Sequence, residues 1–508
     1  MTYKIGTRGS LLAVTQSTLV KNQLESMTGE KFELVLITTQ GDQITNKPLW
    51  QLEGKDFFTK ELDEALLGNE VDFVIHSYKD LGSVRPEGIK LAAITERKFA
   101  HDILLIPQAN IEKLKNWEGD FVVGTSSPRR IANLTHSLPK YIPHIKEIRC
   151  ETLRGNINTR IKKLQDGQYH AITLALAGIE RLALGEKSAS ELKDLLNGLN
   201  YFILPQSVFP SAASQGALGI EINAARNDGG KLAGILEKLN HETTIQEVKR
   251  ERKAFQEFGG GCHLAVGIHV KAIGEKYLHV HSGEVDGVRI EKKWMEGNEL
   301  PKLLKHKLFV GLPHIERDGI VADKFLKKIP ETHKLDFKNK QVFVTSRYCI
   351  PTYEASLDSK PAGLWAAGVK TAEKLTEAGY WINGTSDSLG TDDLVSFKTS
   401  RALAMFSSSI QNEWSVLSHH EASSPLGNTF GCYTRVEQEV PANFEQELKE
   451  VGACYWTSFP QYEAYLKRFP FLKEAYHFCG LGKTWQEFQK AKVLVSPVAS
   501  MEEFYELK

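Results

Sequence analysis

The chain has 508 residues, and its 63 Lys and Arg balance 63 Asp and Glu to give zero formal charge. That balance excludes a globally basic nucleic-acid binder and a protein held electrostatically on an anionic membrane surface. The length suits three or four compact units of roughly 100 to 200 residues, and apolar runs such as AITLALAGI from Ala171 are too short to cross a bilayer. The N-terminal MTYKIGTRGS has no apolar leader core. Six cysteines without a Cys-x-x-Cys pair suit neither a disulfide scaffold nor a zinc site, so a cytoplasmic, metal-free chain is expected.

In chain order, YKIGT from Tyr3, a helical pattern from Leu11 and FELVLITT from Phe32 alternate strand, helix and strand, the pattern of an α/β domain. A long polar loop from Gly41 follows and reads as a mobile cover. A helix from Phe57 leads to the strand VDFVIHS, whose end carries Tyr78, Lys79 and Asp80, where open α/β sheets bind ligands. A second run of the same kind begins near Ile103, with FVVG from Phe121, a helix from about Ser127, IKEIRC from Ile145 and a helix from Asn156. PSAASQGALGIE from Pro210 reads as a turn, a helix start and then a strand returning to the first unit. After the helix from Thr244 come Gly259-Gly260-Gly261 and Cys262, then strand-like runs to about Val288.

The domain boundaries read from this pattern are 1–97 with 199–222, 98–198, 223–329, a polar linker over 330–340, and 341–508. In the last region AAGVKTAEKLTEAGYWI from Ala366 and CGLGKTWQEFQKAKVLV from Cys479 share a glycine turn, Lys-Thr, a helix and a strand, which predicts two pseudo-repeated halves. Cys349, Cys454 and Cys479 lie in apolar runs and read as core.

Arginines recur beside backbone-rich turns: TRGS from Thr7, GTSSPRR from Gly124, Arg149, and LRGNINTR from Leu153. Thr125, Ser126 and Ser127 offer hydroxyls and N–H groups at a helix start, with Arg129 and Arg130 on its first turn, where a bound anion would relieve the unfavourable placement of positive charge. Arg154 and Arg160 repeat the theme, and guanidinium clamps carboxylates bidentately. Each arginine taken singly is equally well a solvated surface residue. Asp80 beside Lys79 is either a surface ion pair or a carboxylate kept ionised in a cationic cleft for proton transfer. Cys262 is a thiol exposed by a glycine turn, open to a nucleophilic or an anchoring role.

Taken in order, GTRGSLLA, HSYKD, GTSSPRR, LRGNINTR, PSAASQGALGIE and ERKAFQEFGGGC resemble the hydroxymethylbilane synthase, or porphobilinogen deaminase, family over residues 1 to about 330. The resemblance implies two periplasmic-binding-protein-like α/β domains and a small α+β cofactor domain. It implies a dipyrromethane cofactor joined through Cys262, porphobilinogen and linear polypyrrole intermediates as ligands, and a monomer without nucleic acid or membrane partners. Asp80, with Lys79, would be catalytic. Arg8, Ser10, Lys79, Asp80, Thr125, Ser126, Ser127, Arg129, Arg130, Arg154, Gly155 and Arg160 would surround the cofactor and the growing chain. The sequence departs from the family pattern at Tyr78, Leu81 and Gly82 (usually HSMKDVP), at Ala213 and Ser214, and at His263-Leu264-Ala265 after the cysteine.

The tail resembles uroporphyrinogen-III synthases through VFVTSRYCI from Val342, AAGVKTAEKL, CYTR, YWTSFPQY and CGLGKT. The resemblance implies a second, cyclising activity, with Tyr433, Thr371, Ser458 and Thr484 as its site candidates. The opening strand and helix expected before VFVTS are not evident in this reading. Two rivals stand beside the bifunctional enzyme: a deaminase with a degenerate, non-catalytic tail, and a ligand-binding protein without catalysis.

Overall fold

A computed structural model describes residues 2–39, 59–82, 84–261, 263–304, 306–315, 317–411 and 413–508. Cys262 and the polar loop from Gly41 lie outside the described residues. The chain divides into two compact units: Met1–Val270 with Val280–Glu291 and Ser400–Phe406, and Lys271–His279 with Lys292–Thr399 and Ser407–Lys508. No described helix is long and apolar enough to cross a membrane.

In the first unit two five-stranded sheets repeat one plan. The first runs Lys31–Ile37, Thr2–Arg8, Phe73–Ser77, Leu218–Asn223, Ile89–Ile94. Its first three strands are parallel, and Leu218–Asn223 is antiparallel to both neighbours. The second runs Ile148–Glu151, Phe121–Gly124, Ala171–Ala175, Asp102–Pro107, Leu199–Ile203, with Asp102–Pro107 the antiparallel strand. Period-two burial fixes the faces: Tyr3 and Ile5 of the first strand point into the core with Phe32, Phe73 and Ile220. The helix Leu11–Thr28 covers them with Val20 and Leu24; Ser10 caps its start and Gly29, at φ 71°, ends it. Deleting a fully buried side chain such as Leu24 in a core of this kind costs about 2–5 kcal/mol.

The expected helix start within PSAASQGALGIE is absent. Residues 211–217 form turns in which Ser214 (φ 66°) and Gly216 (φ 94°) are left-handed. A Cβ on Gly216 would lie 2.3 Å from the Lys98 carbonyl oxygen, so the close approach there requires glycine. Further on, Ala265–Ile273, Lys276–Val285 and Val288–Glu296 form a three-stranded sheet.

The second unit holds two more sheets. One is wholly parallel: Ile320–Ala322, Lys307–Val310, Val451–Trp456, Tyr476–Cys479, Ser496–Pro497. The other runs Leu326–Pro330, Asn428–Glu437, Trp414–His419, Gln341–Val344, Gly363–Ala366, Gly384–Thr385, with only the Leu326–Pro330 pairing antiparallel. Strands at 307–330, which the sequence places in the cofactor domain, thus pair with strands of the tail, and the opening strand missing from the sequence reading is Lys307–Val310. At four residues, with a glycine and a proline just after it, that strand carries too little periodicity to be read.

The 330–340 stretch is also more than a linker. The N–H groups of His333, Leu335 and Phe337 donate to the hydroxyls of Thr352, Ser356 and Ser359 in turn, so alternate residues of an extended segment dock on successive turns of the chain beyond Cys349. The pseudo-repeat is present: Gly363–Ala366, Val369–Glu377, Gly384–Thr385 in one sheet and Tyr476–Cys479, Lys483–Lys490, Ser496–Pro497 in the other each make a strand, helix and edge strand.

Candidate active site

The carboxyl ends of the parallel strands in the first unit deliver the polar groups. Phe73–Ser77 runs into a 3-10 turn, Tyr78–Asp80, that leaves Tyr78 buried, Lys79 half-buried and Asp80 exposed. Lys79 Nζ donates to Gln215 Oε1 at 3.1 Å, and Gln215 Nε2 donates to Asp102 Oδ1 at 2.9 Å. Burial pushes the Lys79 ammonium down to about 8; Arg130 and Arg129 add to the shift, and Asp80 and Asp102 oppose it. Arg160 and Arg181 are each lowered to about 10, first by burial, with the charge of Asp80 opposing in both cases. Asp80 therefore faces three cations that burial disfavours.

Arg129 and Arg130, expected as clamps for a ligand, are buried on Asp102. Arg130 meets it with Nη2 at 2.6 Å and Nε at 3.1 Å, and Arg129 Nη1 lies 2.8 Å from Oδ2. Arg129 also donates to the Pro210 carbonyl and Arg130 to that of Thr173. Burial opposes ionisation of Asp102, but the two guanidiniums overcome it and hold the carboxyl well below the usual range. Two arginines on one carboxylate leave one net positive charge at the start of the helix Pro128–Ser137.

The hydroxyls divide by role. Ser126 Oγ donates to the Leu153 carbonyl and accepts its N–H, fixing the loop that carries Arg154. Thr125 is buried and accepts from the Ser127 N–H, and Ser10 caps its own helix. Ser127 is half-buried at the helix start and makes no side-chain cap bond. Arg8 stands half-buried at the end of its strand, and Arg154 is half-buried and lowered by desolvation. Gly155, at φ 113°, accepts from Arg160 Nε at 2.7 Å. Arg149, by contrast, is an exposed surface residue paired with Asp120 and Glu151, which removes it from the cleft. Gly259, Gly260 and Gly261 have φ of 92°, 62° and 95°, a left-handed run open only to glycine at little cost, and Cys262 comes next in the chain.

In the second unit a cleft is lined by Gly311, Asp323, Lys328, Tyr348, Arg435, Thr457, Ser458 and Gln461, among others. Burial lowers Lys328 to about 8, with Arg435 adding to the shift, and its ammonium lies over the rings of Tyr348 and Tyr433 at 5.5 and 5.9 Å. Asp323 is not available to a ligand: it accepts from Gln461 Nε2 at 2.6 Å and Tyr465 Oη at 2.5 Å. Of the four tail candidates, Ser458 lines the cleft and Tyr433 is buried against Tyr348. Burial raises the Tyr433 phenol to about 12. Thr371 lies in the first turn of its helix, outside the cleft lining, and Thr484 donates to the Thr457 carbonyl.

Residues 3–229 match the family model for the porphobilinogen deaminase dipyrromethane cofactor-binding domain. The porphobilinogen deaminase of Nostoc sp. (strain PCC 7120) is 35% identical over 300 residues, 58% of this chain and 86% of that protein. The chain belongs to the porphobilinogen deaminase family. The Streptococcus sanguinis (strain SK36) deaminase is 34% identical over 322 residues, covering 62% of this chain and 99% of its own. Among solved structures, uroporphyrinogen-III synthetase from Helicobacter pylori 26695 aligns with 40% of this chain and 97% of its own at 14% identity and a TM-score of 0.29, a likeness too slight to carry an argument.

The chain is thus a porphobilinogen deaminase that uses a dipyrromethane cofactor, with porphobilinogen as substrate. Sequence reasoning missed four groups of this candidate site. Gln215 and Asp102 connect Lys79 to the buried arginines, and Arg181 joins Asp80. Arg252, on the helix Glu242–Glu257, stacks over the Tyr78 ring at 4.6 Å and donates to the carbonyls of Tyr78, Leu81 and Gly82. It thereby holds the turn that carries Lys79 and Asp80. The only signal was its place in ERKAFQEFGGGC, ten residues before Cys262.

Proposed function

We propose that this deaminase joins four porphobilinogen molecules with loss of ammonia and releases hydroxymethylbilane, that its dipyrromethane is tethered at Cys262, and that the second unit closes the product to uroporphyrinogen III. The observation that carries the reading is Asp80, an exposed carboxylate at a strand end facing Lys79, Arg160 and Arg181. Three cations disfavoured by burial against one carboxylate fit a polycarboxylate partner, and each pyrrole of the substrate class brings two carboxylates. When bound, the dipyrromethane supplies the first acceptor pyrrole.

Asp80 stands exposed among these cations, so its carboxylate is placed to face the positive charge left on the pyrrole when the protonated amine departs as ammonia, and to take up the proton that the acceptor pyrrole loses as the new bond forms. Arg8, Ser127, Arg154, Arg160 and Arg181 bind acetate and propionate groups, and Lys79 adds a charge fixed by Gln215. The Asp102 pair with Arg129 and Arg130 supports the helix start with one net positive charge. Five free cysteines among the described residues fit a reducing cytoplasm.

In the second unit, Lys328 and Arg435 meet Tyr348, Thr457 and Ser458 in one cleft, which suits a ligand bearing carboxylates and a hydroxyl leaving group. Two lobes, each built on its own sheet, support an active tail over a degenerate one. Intact-mass measurement of the purified chain tests the tether: the expected mass exceeds the sequence by two linked pyrroles, and Cys262→Ala loses both that excess and turnover. An unmodified, fully active protein overturns the assignment.

A further inference from the structure

The second unit carries a group of metal-ligating side chains that neither cleft uses. Glu331, His333 and His420 place one donor atom each within 4.8 Å of one another. Glu331 Oε2 lies 2.9 Å from His420 Nε2 and 3.9 Å from His333 Nε2. The three side chains are between 37 and 44% exposed, enough for an ion to enter from solvent.

Their carriers are held firmly. Thr352, fully buried, accepts the His333 N–H and donates to the Glu331 carbonyl, bracing both ends of the short segment that bears two of the ligands. The Glu331 N–H donates to the Cys432 carbonyl and the His420 N–H to that of Tyr433, so the third ligand is fixed through the adjoining residue of the same strand. Two imidazoles and a carboxylate that converge from such a frame need little rearrangement to surround one ion.

We propose that Glu331, His333 and His420 form a binding site for a divalent transition-metal ion of the Zn2+ or Co2+ class, with a position left open to water. Nitrogen-rich donor sets with one carboxylate select such ions over Mg2+ and Ca2+, which take oxygen ligands. The ion would join the segment that follows Leu326–Pro330 to the residue that follows Trp414–His419, bracing the six-stranded sheet where its one antiparallel strand ends. The sequence offers no spacing signature for this: Glu331 and His333 fall in a polar stretch, and His420 lies 87 positions beyond His333.

The test titrates the chelator-treated full chain with Co2+ and follows visible absorption. Binding should give d–d bands without a thiolate charge-transfer band in the near ultraviolet. The double variant His333→Ala/His420→Ala should weaken binding at least 10-fold while porphobilinogen turnover stays unchanged, and Glu331→Gln should weaken it less. The added ion should also raise the thermal midpoint of the wild type and not that of the double variant. Equal affinity in the double variant, a charge-transfer band placing the ion on cysteine, or no binding by the wild type would each overturn the site.

Discussion

Both units gather buried cations beside carboxylates, yet they treat those carboxylates in opposite ways. In the first unit one carboxylate, Asp102, is committed to Arg129 and Arg130, while a second, Asp80, stands exposed among Lys79, Arg160 and Arg181. In the second unit Asp323 is tied to Gln461 and Tyr465, and the cations Lys328 and Arg435 share their cleft with a phenol and hydroxyls instead. On the proposed functions, the difference teaches that a polycarboxylate cleft needs only cations to bind, and a further carboxylate only where protons must be moved at the reacting carbon.

The comparison breaks most sharply at Asp80. Asp80→Asn should leave cofactor mass and folding intact and lower ammonia release by roughly 100-fold or more, the range for loss of a general acid or base; a variant with most of its turnover would remove Asp80 from the chemistry. Next in size is Asp102→Ala, which strands two buried guanidiniums and should cost about 3–5 kcal/mol in urea unfolding. A loss below about 1 kcal/mol would mean that the arginines re-pair with solvent or ligand.

Arg252→Ala should lower kcat by about 10-fold with KM little changed, since cation–π stacking and charged hydrogen bonds of about 1–3 kcal/mol hold the Asp80 turn. Arg252→Lys should not rescue it, because a single ammonium cannot reach four carbonyl contacts while covering the Tyr78 ring. The smallest effect is a pH dependence. Lys79 has a folded value of about 8 against about 10.5 unfolded, so its charge is lost from the cleft as pH rises through 8. KM for porphobilinogen should rise there, and Lys79→Arg should flatten the rise. Between about 8 and 10.5 the unfolded chain binds the extra proton, so this group adds stability as pH increases through that window.

Much of the deaminase half was legible because the polar groups at its strand ends sit in short motifs, where turn residues and arginines stand out. The alternation in TYKIGTR and the caps Ser10 and Gly29 likewise state their structure locally. Partnerships across long sequence separations were not legible. Asp102 lies 27 and 28 positions from its arginines, and Gln215 lies 136 from Lys79. Tyr78 and Gly82 stood out only as departures from the family pattern, whereas Arg252 packs on one and binds the carbonyl of the other. In the tail the opening strand escaped because four residues carry no usable period.

The measurement that bears most directly on two clefts with two chemistries is to feed porphobilinogen to the intact chain and separate the oxidised uroporphyrin isomers, alongside Lys328→Met. The account predicts isomer III in excess from the intact chain and a shift toward isomer I in the variant at unchanged ammonia release. Isomer I alone from the intact chain would contradict it.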